Sequence, residues 1–298
     1  MMDSIAILGT GAVGGLLAGL FERAGIETLC IVRDEQVQAY EASGLAIDSQ
    51  QFGKFTAKPR FAPRLDVSPE VLFITTKFYD LASALQKIEP EQTNGRLVVP
   101  LLNGLDHMAV LRQSLPGAKV IAASVFVEAY RTGQSEIRHN SNRVKINLAS
   151  DDSALKSDLE NLAATLRACG IEVEIHQSEG FVLWRKIVQL NALALLTTAT
   201  GFPFGKIRDN PELYEHLQNC VREGIAVAKT EAVTVEENEV FTALAKYHDD
   251  FRTSMSRDRD LGKRTELDAI AGAILQRGKQ HGIACPTIEH YYQILKPA

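Results

Sequence analysis

Apolar and polar positions follow two different rhythms along the chain. In the first part, short apolar runs recur between polar breaks: Ile5-Ala6-Ile7-Leu8, then residues 27–32, 71–76, 97–102 and 120–125. Runs of this length, rich in Val, Ile and Leu, predict strands buried on both faces of a parallel sheet. Leu16, Leu17, Leu20 and Phe21 form a helical stripe behind the first run, and residues 37–43 read as a second helix. Residues 45–57 read as a hairpin or irregular pair. Turns at Thr132-Gly133-Gln134 and Asn140-Ser141-Asn142 separate three alternating runs between 128 and 148, which predicts antiparallel strands appended to the sheet. A helix over 154–168 and a short strand over 171–175 follow. From Phe181 onward the strand signals stop. Helices are predicted over 181–198, 211–230, 236–256 and 264–281, with a last short one from Thr287. The change of rhythm predicts an α/β domain over residues 1–177 and an all-helical domain over 178–298.

The first strand runs directly into Gly9-Thr10-Gly11-Ala12-Val13-Gly14 and then into the first helix. Glycine at the first position permits a sharp turn, at the second it leaves the backbone open to a pyrophosphate, and at the third it lets helix and strand pack closely. The N–H groups and positive dipole end of the helix favour a diphosphate there. Strand, glycine turn and helix together predict a Rossmann-type, dinucleotide-binding domain. At the end of the second strand stands Arg33, immediately before Asp34. A carboxylate at the strand end would accept from the ribose 2′-hydroxyl of NAD, whereas a guanidinium suits a 2′-phosphate; the expectation is NADP, against Arg33 as a solvated loop cation. Lys77 and Asn103 follow the third and fourth apolar runs, at strand ends where ligands of open parallel sheets bind. Taken singly, they read more readily as a surface lysine and a turn-forming Asn-Gly.

Composition narrows the class. A chain of 298 residues fits two domains, and 45% apolar residues suffice to bury two cores. A net charge of −5 argues against nucleic acid or an acidic membrane as partner. Cys30, Cys169, Cys220 and Cys285 lie far apart, and the seven histidines have no ligand spacing, so no structural metal is expected. Met1-Met2-Asp3-Ser4 enters the first strand without a leader, and no apolar run is long enough to span a bilayer. The expected location is the cytoplasm. The helical domain could offer an apolar face to a second copy, a homodimer that the sequence leaves open.

Candidate chemistry sits in the helical half. Residues 181–198 are apolar on nearly every side yet contain Lys186, which must either snorkel outward or serve a purpose; buried without an anionic partner, its pKa falls. Ser254-Met255-Ser256-Arg257-Asp258 and Arg264-Thr265-Glu266-Leu267-Asp268 carry hydroxyls and carboxylates on a later helical stretch. Ser254 and Glu266 can share a pocket only if the chain bends between them, with Gly262 the expected place.

The glycine turn, Lys77, Asn103-Gly104, Leu183-Trp184-Arg185-Lys186, Ser254-Met255 and Thr265-Glu266-Leu267-Asp268 resemble, in order and spacing, the ketopantoate reductases (2-dehydropantoate 2-reductases). The resemblance runs through both domains. It implies NADPH-dependent reduction of a small-molecule 2-oxo acid, with Lys186 as proton donor and Glu266 contacting substrate hydroxyl and cofactor. By the same resemblance, Ser254 and Asn103 would hold the substrate carboxylate and nicotinamide region, and Arg33 the 2′-phosphate. A ketone that accepts hydride becomes an alkoxide, which needs a proton and a nearby positive charge; an ammonium provides both. Glu266 would keep Lys186 charged, each displacing the other's pKa. The chain departs from the family pattern where asparagines usually stand, at Leu190, Ala194 and Phe204. Lost amides beside the lysine imply a 2-oxo acid with a more apolar or differently functionalised tail, or weak ketopantoate reduction. A one-residue helix slip near Gln189 would bring Asn191 inward instead. Other readings are an opine-type or 3-hydroxy acid dehydrogenase, and a non-catalytic NADP-binding sensor.

Overall fold

The computed structural model describes residues 2–296, and their contacts divide into two compact units. The first runs to Val182 except for Asn103–Asp106, which group with Leu183 and the residues beyond it in the second.

In chain order the first unit contains β1 (Ser4–Leu8), α1 (Ala12–Arg23), β2 (Glu27–Ile31), α2 (Val37–Ser43), β3 (Leu45–Ser49), β4 (Gly53–Ala57), β5 (Arg60–Ala62), β6 (Val71–Ile74), α3 (Leu81–Leu85), β7 (Leu97–Pro100), α4 (His107–Ser114), β8 (Lys119–Val120), β9 (Ala122–Phe126), β10 (Ala129–Arg131), β11 (Glu136–His139), β12 (Lys145–Ala149), α5 (Lys156–Ala168) and β13 (Glu172–His176). Six strands form one parallel sheet in the order β5-β2-β1-β6-β7-β8. Its central strand β1 is buried on both faces, with Ile5, Ala6, Ile7 and Leu8 at most 2% exposed, as a continuous apolar run requires. Helix α1 touches β1 and β2 of this sheet and also β3, β4, β10 and β11 of a second one. Its glycines permit that: a methyl group on Gly14 would strike the Gly9 carbonyl, and one on Gly19 would strike Ile47.

Two expectations for this half need correction. The run over 120–125 is not one strand. β8 pairs with β7 in the parallel sheet, the Ile121 N–H still reaches the Val98 carbonyl, and β9 then leaves to pair antiparallel with β12 in a three-stranded sheet, β13-β12-β9. Nor are the three runs between 128 and 148 appended to the main sheet. β10 and β11 join β3 and β4 in a four-stranded sheet in which β11 runs parallel to β3, while β12 belongs to the three-stranded one. Alternation sets which face of a strand is buried but not which neighbour it finds.

The second unit is helical: α6 (Glu179–Thr200), whose first turn still belongs to the first unit, α7 (Phe204–Arg208), α8 (Pro211–Thr230), α9 (Glu237–Leu244), α10 (Ser254–Asp260), α11 (Ala273–His281) and α12 (Pro286–Leu295). Trp184, Ile187, Val188 and every residue from Ala192 to Leu196 on α6 are buried, so this helix is the axis of the second core. The start of α8 is fixed by the Asn210 side chain, which accepts from the Leu213 N–H, and by Pro211 in the first turn.

The helix expected over 236–256 is two short ones. Between them the Phe251 and Asp249 carbonyls accept from the Phe204 and Gly205 N–H groups at 2.9 and 2.8 Å, so the backbone there serves α7. The Thr253 side chain then caps α10 by accepting from the Ser256 N–H. The helix expected from 264 starts later. Gly262, at φ +64°, supplies the anticipated bend after α10, residues 263–266 are not helical, and Asp268–Gly272 form a π-helical turn leading into α11.

Candidate functional site

On the first unit, strand order reverses between β1 and β6, and the crevice beyond their carboxyl ends is where such sheets bind ligands. Gly9 turns the chain at φ +98°, and its carbonyl accepts from the Thr75 hydroxyl. A methyl group on Gly9 or Gly14 would collide with the protein itself, whereas one on Gly11 would meet nothing within 4 Å. Internal packing therefore explains two of the three glycines, and the third keeps open a space outside the protein. Gly11 is also the N-cap of α1 and supplies no side-chain acceptor, and no acidic residue lies in the first turn, so the helix's leading N–H groups are left for an outside anion. Thr76, two residues past β6, buries its hydroxyl oxygen, which has no hydrogen-bond partner among the described residues. An open backbone cradle, a free helix N-terminus and an orphaned hydroxyl fit the diphosphate of a dinucleotide, with Thr10, Ala12 and Val13 completing the turn.

Arg33 is exposed just past β2, as a 2′-phosphate ligand must be. The Lys87 ammonium donates to the neighbouring Val32 carbonyl at 2.5 Å. Burial lowers its pKa, while Asp34 and Glu35 raise it and Arg33 and Arg64 lower it. Nothing local in the sequence pointed to Lys87, which lies far along the chain from Arg33. Lys77 is half-buried where β6 gives way to a 3-10 turn over Phe78–Asp80.

Asn103 begins the loop that groups with the helical unit, and there it meets Glu266: its amide donates to the carboxylate at 3.1 Å. Glu266 is only 3% exposed and directly precedes the π-helical turn, where its carbonyl accepts from the Ile270 N–H. A methyl on Gly104 would lie 2.8 Å from the Ala269 carbonyl, so only glycine lets the Asn103 loop lie this close to that turn.

Lys186 is half-buried on α6, and burial pushes its pKa from 10.5 down to about 8. Desolvation is the cause of this downward displacement, and at about 8 the ammonium still carries its proton at neutral pH. Ser254 opens α10 half-buried, with its hydroxyl unbonded among the described residues. That helix is stitched to α6 through Thr197: the Thr197 and Thr253 hydroxyls are 3.0 Å apart, and the Ser256 hydroxyl donates to the Thr197 carbonyl at 2.9 Å. Thr197 is about three turns beyond Lys186 on the same helix.

The three departures from the asparagine pattern differ in kind. Leu190, one turn from Lys186, is half-buried and reachable, while Ala194 and Phe204 are core residues at 0% and 2% exposure. The surface beside the lysine has therefore gained apolar area at Leu190 alone. Helix α6 is regular through Gln189, so the slip that would bring Asn191 beside Lys186 does not occur; Asn191 is fully buried in the core, and its amide has no partner among the described residues. Sequence reasoning missed Tyr247, whose hydroxyl accepts from the Gln189 amide at 3.0 Å and whose ring lies tilted by 40° against Phe251 at 4.1 Å between centroids. Among the described residues no cluster of His, Cys, Asp or Glu could hold a metal ion, and no helix is long and apolar enough to cross a membrane.

Residues 5–152 match the family described as ketopantoate reductase PanE/ApbA, and residues 182–298 match its C-terminal domain. The chain is 26% identical to a 2-dehydropantoate 2-reductase of Halobacterium salinarum, covering 99% of this chain and 98% of that one. Identity to the enzyme of the same name from Caulobacter vibrioides is 27%, over 96% and 95%. A solved PanE/ApbA family ketopantoate reductase from Ralstonia eutropha superposes with a TM-score of 0.87 at 29% identity, over 97% and 96% of the two chains. D-mandelate dehydrogenase, solved with NADH and anilino(oxo)acetate, shares the fold at a TM-score of 0.89 and 21% identity, over 97% and 96%.

Proposed function

The chain belongs to the ketopantoate reductase family of oxidoreductases acting on C=O and CH–OH groups, and from that premise we propose that it uses NADPH to reduce a 2-oxo acid bearing an apolar tail. The observation that carries the reading is Lys186, a desolvated ammonium with a pKa near 8, in the unit where Asn103 and Glu266 pair.

The cofactor, when bound, supplies the hydride that reduces the carbonyl carbon. Gly9, Thr10, Gly11, Ala12, Val13 and Gly14 would hold its diphosphate at the N-terminus of α1, with Lys77 and the Thr76 hydroxyl as further contacts. Arg33 would take the 2′-phosphate, and Lys87, bonded to the Val32 carbonyl, would add positive charge at the same strand end. Lys186 donates its proton to the oxygen that becomes the alcohol, and its charge stabilises the alkoxide as it forms. A pKa near 8 suits this task, because the group is protonated at neutral pH yet gives its proton up readily. Glu266, oriented by the Asn103 amide, accepts from the nascent hydroxyl, and Ser254 donates to the substrate carboxylate.

Leu190 and the Gln189–Tyr247 pair support the choice of tail. A leucine one turn from the acid and an aromatic ring tied to the same helix face offer apolar contact where the family pattern offers amides. An apolar wall discriminates against an added hydroxyl by up to about 100-fold. The test is NADPH oxidation with a panel of 2-oxo acids, both branched aliphatic and aromatic, alongside ketopantoate, for wild type and Lys186→Ala. Branched or aromatic acids should be reduced with the higher kcat/KM, and Lys186→Ala should lose the activity. Ketopantoate as the best substrate would overturn the tail assignment; tight NADPH binding with no turnover of any acid would make the protein a sensor.

A further inference from the structure

The Asn103 loop and the Lys186 helix are far apart in sequence, yet one side chain touches both supports. Arg277, on α11, donates from Nη2 to Asp106 Oδ1 at 2.7 Å and from Nε to Glu231 Oε1 at 2.9 Å. Its third nitrogen, Nη1, donates to the Ala273 carbonyl of its own helix at 3.2 Å. Asp106 ends the short stretch that begins with Asn103. The other oxygen of Glu231 accepts from the Trp184 indole at 2.9 Å, and Trp184 is 2% exposed and two residues before Lys186. Glu266 stands at the head of the same helical run that carries Arg277.

We propose that Arg277 is a positioning residue for the reduction, fixing in one guanidinium fork the loop that presents Asn103 and the helix that presents Lys186. Exposed ion pairs taken singly contribute little. Here the arginine side chain is 18% exposed, and its planar donors meet two carboxylates in a fixed geometry that a lysine's point charge cannot reproduce. The loop is then held at both ends: Gly104 lies flat on the Ala269 carbonyl, and Asp106 is clamped by Arg277. A site of this kind loses rate when its groups drift by about 1 Å.

The proposal rests on the reductase reading, and its test separates the two. Steady-state kinetics of wild type, Arg277→Met, Arg277→Lys, Asp106→Ala and Glu231→Met are measured with the best 2-oxo acid of the panel, alongside emission from Trp184, the only tryptophan in the chain. Arg277→Met should lower kcat/KM about 10- to 100-fold, and Arg277→Lys should not restore it. Asp106→Ala should act mainly on KM, with Trp184 emission unchanged. Glu231→Met should shift that emission and act on kcat. The Arg277→Met/Asp106→Ala double variant should be no worse in KM than Arg277→Met alone. Folded Arg277→Met with kinetics within twofold of an active wild type overturns the assignment and leaves the reductase reading standing; so does restoration by lysine, which reduces the role to one of charge. If Arg277→Met does not fold, the split between Asp106→Ala and Glu231→Met decides, and identical effects of the two on KM and kcat count against the proposal. A wild type that reduces no acid refutes the reductase reading, and the positioning role with it, whatever the emission does.

Discussion

Replacing Lys186 by Met should make the protein more stable and inactive. Methionine keeps the apolar stem and nearly the volume while removing the charge. The pKa of Lys186 falls from 10.5 to about 8 because burial penalises the ammonium. At about 1.4 kcal/mol per pH unit, that is a penalty of up to about 3 kcal/mol against the charged form in the folded state. Below about pH 8 both folded and unfolded chains carry the proton, and wild type bears the full penalty. As pH rises from about 8 towards 10.5 the folded chain releases the proton before the unfolded one does. Unfolding then takes up a proton, so wild-type stability climbs with pH. Lys186→Met should therefore unfold at higher denaturant concentration than wild type at pH 7, by about 1–3 kcal/mol, with the gap closing above pH 8. Turnover should move the other way: loss of a general acid costs about 100- to 10,000-fold. In wild type the same pKa should appear as a fall in kcat for ketone reduction as pH rises through about 8. Oxidation of the 2-hydroxy acid should rise through that pH, because the amine must accept the proton. A Lys186→Met protein less stable than wild type at pH 7, or a reduction rate flat between about pH 7 and 9, would refute the desolvated-acid account.

The glycine turn allows a paired test: Gly11→Ala should leave thermal stability near wild type but weaken NADPH binding at least 10-fold, whereas Gly14→Ala, whose methyl would meet the Gly9 carbonyl, should cost about 1–3 kcal/mol in denaturant unfolding. Arg33→Gln should reduce the preference for NADPH over NADH about 10- to 100-fold in competition titrations, chiefly by weakening NADPH. His139 is fully buried, with Nδ1 2.8 Å from the Ser49 hydroxyl and Nε2 2.9 Å from that of Ser141, and burial lowers its pKa below 6.5. The folded state thus keeps the ring neutral where the unfolded state binds a proton, so stability should fall as pH drops below about 6.5, and His139→Gln should flatten that slope in thermal melts.

What the sequence disclosed is what local chemistry determines. The apolar run of β1, the glycine turn and the stripe of α1 each follow from near neighbours, and the bend at Gly262 was foreseeable because only glycine takes φ +64° without strain. Where distant partners decide, pattern reading failed. The break at Ile121 depends on β7 pulling one way and β12 the other. Beyond the end of α9 the carbonyls of Asp249 and Phe251 bond to α7 rather than to a continuing helix, and nothing within 236–256 announces that partner. The site divides along the same line. Lys186 was conspicuous as a charge inside an apolar helix, whereas Tyr247, Lys87 and Arg277 make their contacts with residues remote in sequence and carry no motif.

The substitutions at the asparagine positions show why a sequence departure must be weighed by where it points. Read along the chain, Leu190, Ala194 and Phe204 look like three equal losses from one pocket. Two of them are interior: Ala194 belongs to the packed spine of α6, and Phe204 lies beneath Tyr247 at the start of α7, at 6.4 Å between ring centroids. Both positions are filled with apolar side chains packed into the core, at 0% and 2% exposure. Asn191 sharpens the point, since its amide is fully buried beside that spine. An unbonded buried amide costs about 1–3 kcal/mol, so a regular helix that leaves it so is held in register by the apolar residues around it. The face near Lys186 is then set by Leu190 and by the Gln189–Tyr247 bond. On the proposed reading, discrimination of the substrate tail falls to Leu190 and Tyr247, while Lys186, Glu266 and Asn103, the groups proposed to handle the carbonyl, are all present.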